Sequence, residues 1–399
     1  MRPLLVTGLG IVCPMGIGRE ALIAAMRAGL RPSWDDGRVE TFDAAKYPSA
    51  RVAEVRGFEP SAYLGERGLR SLDRLCKLLL VAARLCLHDA GLKKSGAWID
   101  VKDGDRPWAD RVGIVVSNAY GSLEAISELD RVALLEDPRY INPSRFPLTV
   151  SNSAAGYASI WEDLRALNVS VSNGNCGALD AVACADVFLQ SARADVLLVG
   201  GAEAMSEALF VAFRRLGADL GSSNLSRDST GCLGEGAAFV TLETSETAKA
   251  RAAAPLGEIV GYGTAFAPPP REASLVYPAG EALEDAIDNA LLDAGVAKQD
   301  VDVVVSGISG MRPFDEAELL AIQRALGTDT PVMAPKTAMG EALGAGGALA
   351  MSAAIGCFHD AGGACMVRGT VRGPVCTALV TSMGYYGDAS ALVMRRASK

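Results

Sequence analysis

Residues 169–205 read VSVSNGNCGALDAVACADVFLQSARADVLLVGGAEAM, and several local patterns follow one another within them. The run "NVSVSN" has the β-branched alternation of a strand, "GNCG" reads as a tight turn, and "ALDAVACADVFLQSAR" carries apolar residues at helical spacing. The apolar run "VLLVGGAEA" then returns to strand. Strand, turn, helix and strand in succession form the repeating unit of a parallel-rich α/β sheet. The same stretch sets Cys176 between glycines at the start of a helix. A thiol there meets unpaired N–H groups and the positive end of the helix dipole, which predicts a pKa below that of a free cysteine and a nucleophilic role. The flanking glycines let backbone and substrate approach closely. The alternative reading of the same residue is a buried structural cysteine.

Composition narrows the class. A chain of 399 residues, half of them hydrophobic and 43 of them glycine, suits a large α/β enzyme of one or two tightly packed domains. Nine scattered cysteines with no CxxC pair argue against a disulfide framework and against a zinc site, and suggest a reducing compartment. No stretch is long and apolar enough to span a bilayer, and the N-terminal run lacks a cleavage-site pattern, so a cytoplasmic protein is expected. A net charge of −9 offers no general basic face for nucleic acid.

The rhythm of "VSVSN" and "VLLVGGAEA" continues in both directions. Strands are expected at "LLVTGLG", "RVGIVVSN" and "AAFVTLE" in a first half, and at "LGEIVGYG", "DVDVVVSG" and "ALVTSMGYYGDASALVMRR" in a second, with helices between them. The expected joint is "SETAKARAAAPLGE", dividing the chain into 1–250 and 251–399. Turn formers and prolines mark "KKSGAWIDVKDGDRPWADR" and "TAFAPPPREASLVYP" as loops.

Six markers, in order, carry a family resemblance: "VTGLGIVCPMG", "GNCGALDAV", "VLLVGGAEAM", "TGCLGEGAAFVTLE", "PKTAMGEALGAGGALA" and "SMGYYGDASALVM". Nearly end to end, the chain resembles the β-ketoacyl-ACP synthases, the condensing enzymes of fatty-acid and polyketide assembly. The resemblance implies a thiolase-like fold of five layers, α, β, α, β, α, built from two similar halves and dimerised through the strand next to the cysteine. It also implies no cofactor beyond a substrate carried as a thioester on the phosphopantetheine arm of acyl carrier protein.

In that family a cysteine accepts the acyl chain, and two histidines of the second half support decarboxylation of a malonyl thioester. Here the first of those positions reads Ser309 and the second Glu341. The only histidines are His88 and His359, both in segments that read as helix ends. Cys176 is kept, Lys336 matches the family's lysine, and Glu318 matches its usual acidic partner. Tyr385 stands at the glycine-flanked phenylalanine gate, and its N–H with that of Cys176 would form an oxyanion hole. Glu341 admits two readings: a buried salt bridge with Lys336 in a dead site, or a general base. Its charge would repel a malonyl carboxylate and raise the thiol pKa if close.

Tyr120 falls where relatives line the acyl pocket, with an ordinary core tyrosine as the alternative. Arg67, Arg70, Arg74 and Lys77 recur at helical spacing, either as a docking face for an acidic carrier protein or as a solvated helix face. Three activities follow: a chain-length-factor-like partner of an active ketosynthase, a Cys176-dependent acyltransferase without decarboxylation, and an atypical 3-oxoacyl-ACP synthase. Partner choice, with itself or with a ketosynthase, stays open.

Overall fold

A computed structural model describes residues 2–30, 38–47, 50–100, 106–215, 232–271, 276–359 and 362–397. Parts of the two expected loops, 101–105 and 272–275, and the start of the fourth marker lie outside these residues.

Ten principal strands form the frame: β1 (Leu4–Cys13), β2 (Val112–Ser117), β3 (Asn168–Val171), β4 (Val196–Glu203), β5 (Gly236–Thr244), β6 (Gly257–Phe266), β7 (Val303–Val305), β8 (Val332–Met333), β9 (Thr377–Met383) and β10 (Asp388–Arg395). The first five lie in the order β3-β2-β4-β5-β1 and the second five in the order β8-β7-β9-β10-β6. By position in each half, both orders are 3-2-4-5-1. The directions also repeat. The three strands at the far end of each set are parallel, and the two nearest the middle are antiparallel. This is the two-half architecture expected from the sequence, with one addition. Leu4–Val6 of β1 pairs antiparallel with Gly257–Ile259 of β6, so the two sheets share an edge.

The principal helices are α1 (Arg74–Asp89), α2 (Ser153–Glu162), α3 (Gly177–Gln190), α4 (Glu207–Arg215), α5 (Gly280–Ala294), α6 (Arg312–Leu326), α7 (Lys336–Met339) and α8 (Gly346–Phe358). Every residue of α8 is buried. Its sequence, GGALAMSAAIGCF, is small or apolar on all sides, as a helix between two sheets must be. With α3 it forms the middle layer, packed against strands of both halves. Outside, α1 and α2 cover the first sheet and α5 and α6 the second.

The outer helices settle deeply because paired glycines in β1 and β6 leave room. A Cβ at Gly10 would lie 2.0 Å from Ala82 O of α1, and one at Gly263 would lie 2.2 Å from Ala286 O of α5. The matching "GLG" and "GYG" are thus one structural device used twice. The short strand β8 was not expected from the sequence, since "PVM" is too brief to show a period.

Candidate active site

Cys176 is the N-cap residue of α3 and is completely buried, at the end of a turn closed by Gly174–Cys176. Its Sγ–H donates to Ser382 O at 3.4 Å. Asp388, the first residue of β10, reaches the thiol, and Asp180 lies one turn into α3. Asp180 is fixed there by Tyr262 Oη at 2.7 Å, Ser390 Oγ at 2.6 Å and the amide of Asn173. Burial first, and then these two carboxylates, push the Cys176 thiol well above its ordinary value. The thiolate expected from the helix N-terminus is therefore overturned. Burial of the thiol, helped by two nearby carboxylates, outweighs the dipole of one helix end.

The oxyanion hole is also corrected in part. The Cys176 N–H already donates to Asn173 O at 3.1 Å. Among the described residues the Tyr385 N–H has no such acceptor, so one of the two expected donors is available. The Tyr385 ring is buried edge-on against Phe314, with centroids 5.0 Å apart, and near Phe213 at 6.3 Å. Its hydroxyl faces Asn175, and neither that hydroxyl nor Asn175 Oδ1 closes a hydrogen bond among the described residues.

Lys336 and Glu341 form a buried ion pair, with Nζ at 2.9 Å from Oε1 and 3.0 Å from Oε2. The Leu343 N–H adds a bond to Glu341 at 2.8 Å. This is the salt-bridge reading of Glu341, and the pairing of Lys336 with Glu318 implied by the resemblance is not formed. Glu318 instead accepts from the Gly307 N–H at 2.7 Å and Thr381 Oγ1 at 2.8 Å, and burial raises its carboxyl to about 7. Asp315 receives the Ser309 N–H at 3.0 Å and the Gly310 N–H at 2.8 Å, and burial raises it too. Ser309 thus contributes a backbone donor at the start of α6 rather than a base.

Glu203, at the end of β4, accepts from the N–H groups of Ala119 at 2.8 Å and Gly344 at 3.2 Å. Burial raises it to about 7, and the charge of Glu341 adds to this. The Lys336 ammonium thus pairs with Glu341, and its charge also acts on Glu318 and Asp315, while Glu203 feels the charge of Glu341. Among the described residues, no group of three or more metal-binding side chains is arranged to hold an ion.

Of the remaining predicted residues, Tyr120 borders this centre, its backbone N–H reaching Glu203, and the basic residues lie away from it. Tyr120 is 39% exposed, and its hydroxyl pairs with that of Tyr386 beside the gate, so it is not an ordinary core tyrosine. The basic residues do not share one helix face. Asp73 caps α1 by accepting from the Cys76 N–H at 2.8 Å, and Arg70 belongs to a separate turn, Leu69–Ser71. Arg67 and Arg70 are exposed and Lys77 is half-buried. Arg74 is engaged with buried Glu235, with Nε 2.7 Å from Oε2, and with Val55 O at 3.0 Å. His88 accepts from the Gly96 N–H at 3.2 Å at the end of α1, and His359 caps α8, so both histidines hold the helix-end roles expected of them.

A pattern described as Beta-ketoacyl synthase, N-terminal domain matches residues 1–248, and one described as Beta-ketoacyl synthase, C-terminal domain matches 256–362. The chain belongs to the β-ketoacyl synthase family. It is 30% identical over 365 positions to 3-oxoacyl-[acyl-carrier-protein] synthase 2 of Coxiella burnetii, covering 87% of this chain and 84% of that one. It is also 30% identical over 424 positions to the tetracenomycin polyketide synthase ketoacyl synthase beta subunit of Streptomyces glaucescens, covering 99% and 98%. In fold it is similar to the ishigamide ketosynthase/chain length factor, with a TM-score of 0.85, 24% identity and full coverage of both chains.

Sequence reasoning missed Asp180, Asp388 and Glu203. In this β-ketoacyl synthase fold all three are legible only by position. Asp388 directly follows "GYYG", and Glu203 ends a strand of otherwise uncharged residues.

Proposed function

We propose that this family member is a non-condensing, chain-length-factor-like partner of an active ketosynthase, working in the cytoplasm on acyl chains held by acyl carrier protein. The observation that carries the reading is the state of Cys176: a neutral, buried thiol bonded to a carbonyl oxygen and flanked by two carboxylates. Where a condensing site needs neutral donors to stabilise an enolate, this chain presents Glu341 paired with Lys336. The alignment with a polyketide synthase beta subunit over 98% of that subunit's length supports the same assignment.

Assembly and docking follow from the surface. Strand β3 pairs with β2 on one side only, and exposed Ile160 and Val187 belong to the helices that flank it in sequence. An open edge beside apolar side chains supports dimerisation through this strand. Arg67 and Arg70, with Arg214 and Arg215 just beyond Phe213 at the gate, offer positive charge to an acidic carrier.

The test is reconstitution with a histidine-bearing ketosynthase. A stable complex whose condensation rate is unchanged by Cys176→Ala in this chain supports the proposal. Turnover by this chain alone as a homodimer overturns it.

A further inference from the structure

We infer that Tyr277 is a positioning residue that clamps the turn 384–387 shut over Cys176. The turn joins β9 to β10, and the thiol meets both of its flanks. Ser382 O lies before it at 3.4 Å, and the Asp388 side chain comes directly after it. The hairpin end therefore packs directly against Sγ.

Its carbonyls are held from outside, one after another. The Tyr277 N–H donates to Tyr385 O at 3.0 Å, Tyr277 Oη donates to Tyr386 O at 2.9 Å, and the Ala267 N–H donates to Gly387 O at 2.9 Å. Tyr277 Oη also contacts Ala267 O at 2.8 Å, which ties the phenol to the segment that holds Gly387. The Gly384 N–H closes the turn on Asp388 O at 2.8 Å.

Tyr277 is itself buried, three residues before α5, and packs in the same apolar cluster as Ala282 and Leu283 of that helix. Gly387 has φ +95°, and a Cβ there would lie 2.1 Å from Tyr277 Oη, so glycine is what allows the phenol to rest on the turn. On the inner side Phe314 and Phe213 back the Tyr385 ring. The turn is thus braced on both faces.

The inference rests on the reading of Cys176 as a shut-off thiol and adds what shuts it. Removing the hydroxyl deletes the single proton it shares between Tyr386 O of the turn and Ala267 O. One net hydrogen bond shifts a local opening equilibrium by roughly 2- to 10-fold, so Tyr277→Phe should expose the thiol more often by a factor in that range.

The experiment is N-ethylmaleimide labelling of the native protein, with the rate at each cysteine read by peptide mass. Exposed Cys376 calibrates the reagent, and buried Cys86 and Cys357 report general loosening. The expected result is an increase of roughly 2- to 10-fold at Cys176 alone in Tyr277→Phe, with the same ratio to wild type at pH 7 and pH 9, which separates access from a changed thiol pKa. Gly387→Ala should give the same selective increase by forcing the phenol off the turn. Unchanged Cys176 labelling in both variants, or an equal rise at Cys86 and Cys357, overturns the clamp. Wild-type Cys176 reacting as fast as Cys376 would instead refute the underlying reading of a shut-off thiol.

Discussion

Replacing Lys336 by methionine removes the ammonium that pairs with Glu341 and acts on Glu318 and Asp315, while keeping most of the side-chain volume. The pair it breaks is buried on both sides, at 2.9 and 3.0 Å. Removing one partner of such a pair leaves an uncompensated charge and costs about 3–5 kcal/mol. Unfolding entropy is about 2.1 cal/mol/K per residue, or about 0.8 kcal/mol/K for this chain, so Tm should fall by about 4–6 °C at pH 8. The loss should depend on pH. Glu203 and Glu318 have folded-state values raised to about 7 from 4.5, so their folded forms hold protons that the unfolded chain releases. Each therefore destabilises the fold increasingly as pH rises from about 4.5 through 7, by up to about 3 kcal/mol. The variant should accordingly lose less at pH 5.5, where Glu318, on which the Lys336 charge acts, is already protonated in the folded protein. Calorimetry of wild type, Lys336→Met and Lys336→Met/Glu341→Leu reads this directly, with the double variant recovering most of the loss. A single variant as stable as wild type at pH 8, or a double variant no better than the single, would refute the reasoning.

Two further outcomes are expected. Asp388→Asn removes a charge beside Cys176 and should lower the thiol pKa, seen as thiolate absorbance near 240 nm that appears at a lower pH than in wild type and is absent in a Cys176→Ala background; an unchanged titration would mean that burial alone holds the proton. Charge reversal at Arg67 and Arg70 should weaken carrier-protein binding at low salt and much less at high salt, measured by calorimetric titration. An effect insensitive to salt would argue against steering by these side chains.

The fold was legible because its signals are local and repeated. Strand runs, helix periodicity and the paired glycines of "VTGLG" and "IVGYG" each report a neighbour in the structure. The site was legible in its backbone positions: Cys176 at a helix start, Lys336 and Glu341 on one turn, Tyr385 at the hairpin end. Its electrostatics were not. Asp388 lies 212 residues from Cys176 in the chain, and only the pairing of β9 with β10 over α3 brings its carboxylate to the thiol. Spacing likewise suggested one basic helix face across residues 67–77, but the Asp73 cap starts the helix at Arg74, and Glu235, far away in sequence, draws that arginine inward. Lys336 is the counter-example: its salt bridge with Glu341, five residues on, was one of the two readings open from sequence, and the structure forms it.

The most direct test of the central claim is the intact mass of the purified chain after incubation with acyl carrier protein loaded with short and medium acyl chains, beside Cys176→Ala. A neutral thiol behind a closed turn predicts no acyl adduct on either protein. An adduct on the wild type that Cys176→Ala abolishes would contradict the account and make this chain an acyl acceptor in its own right.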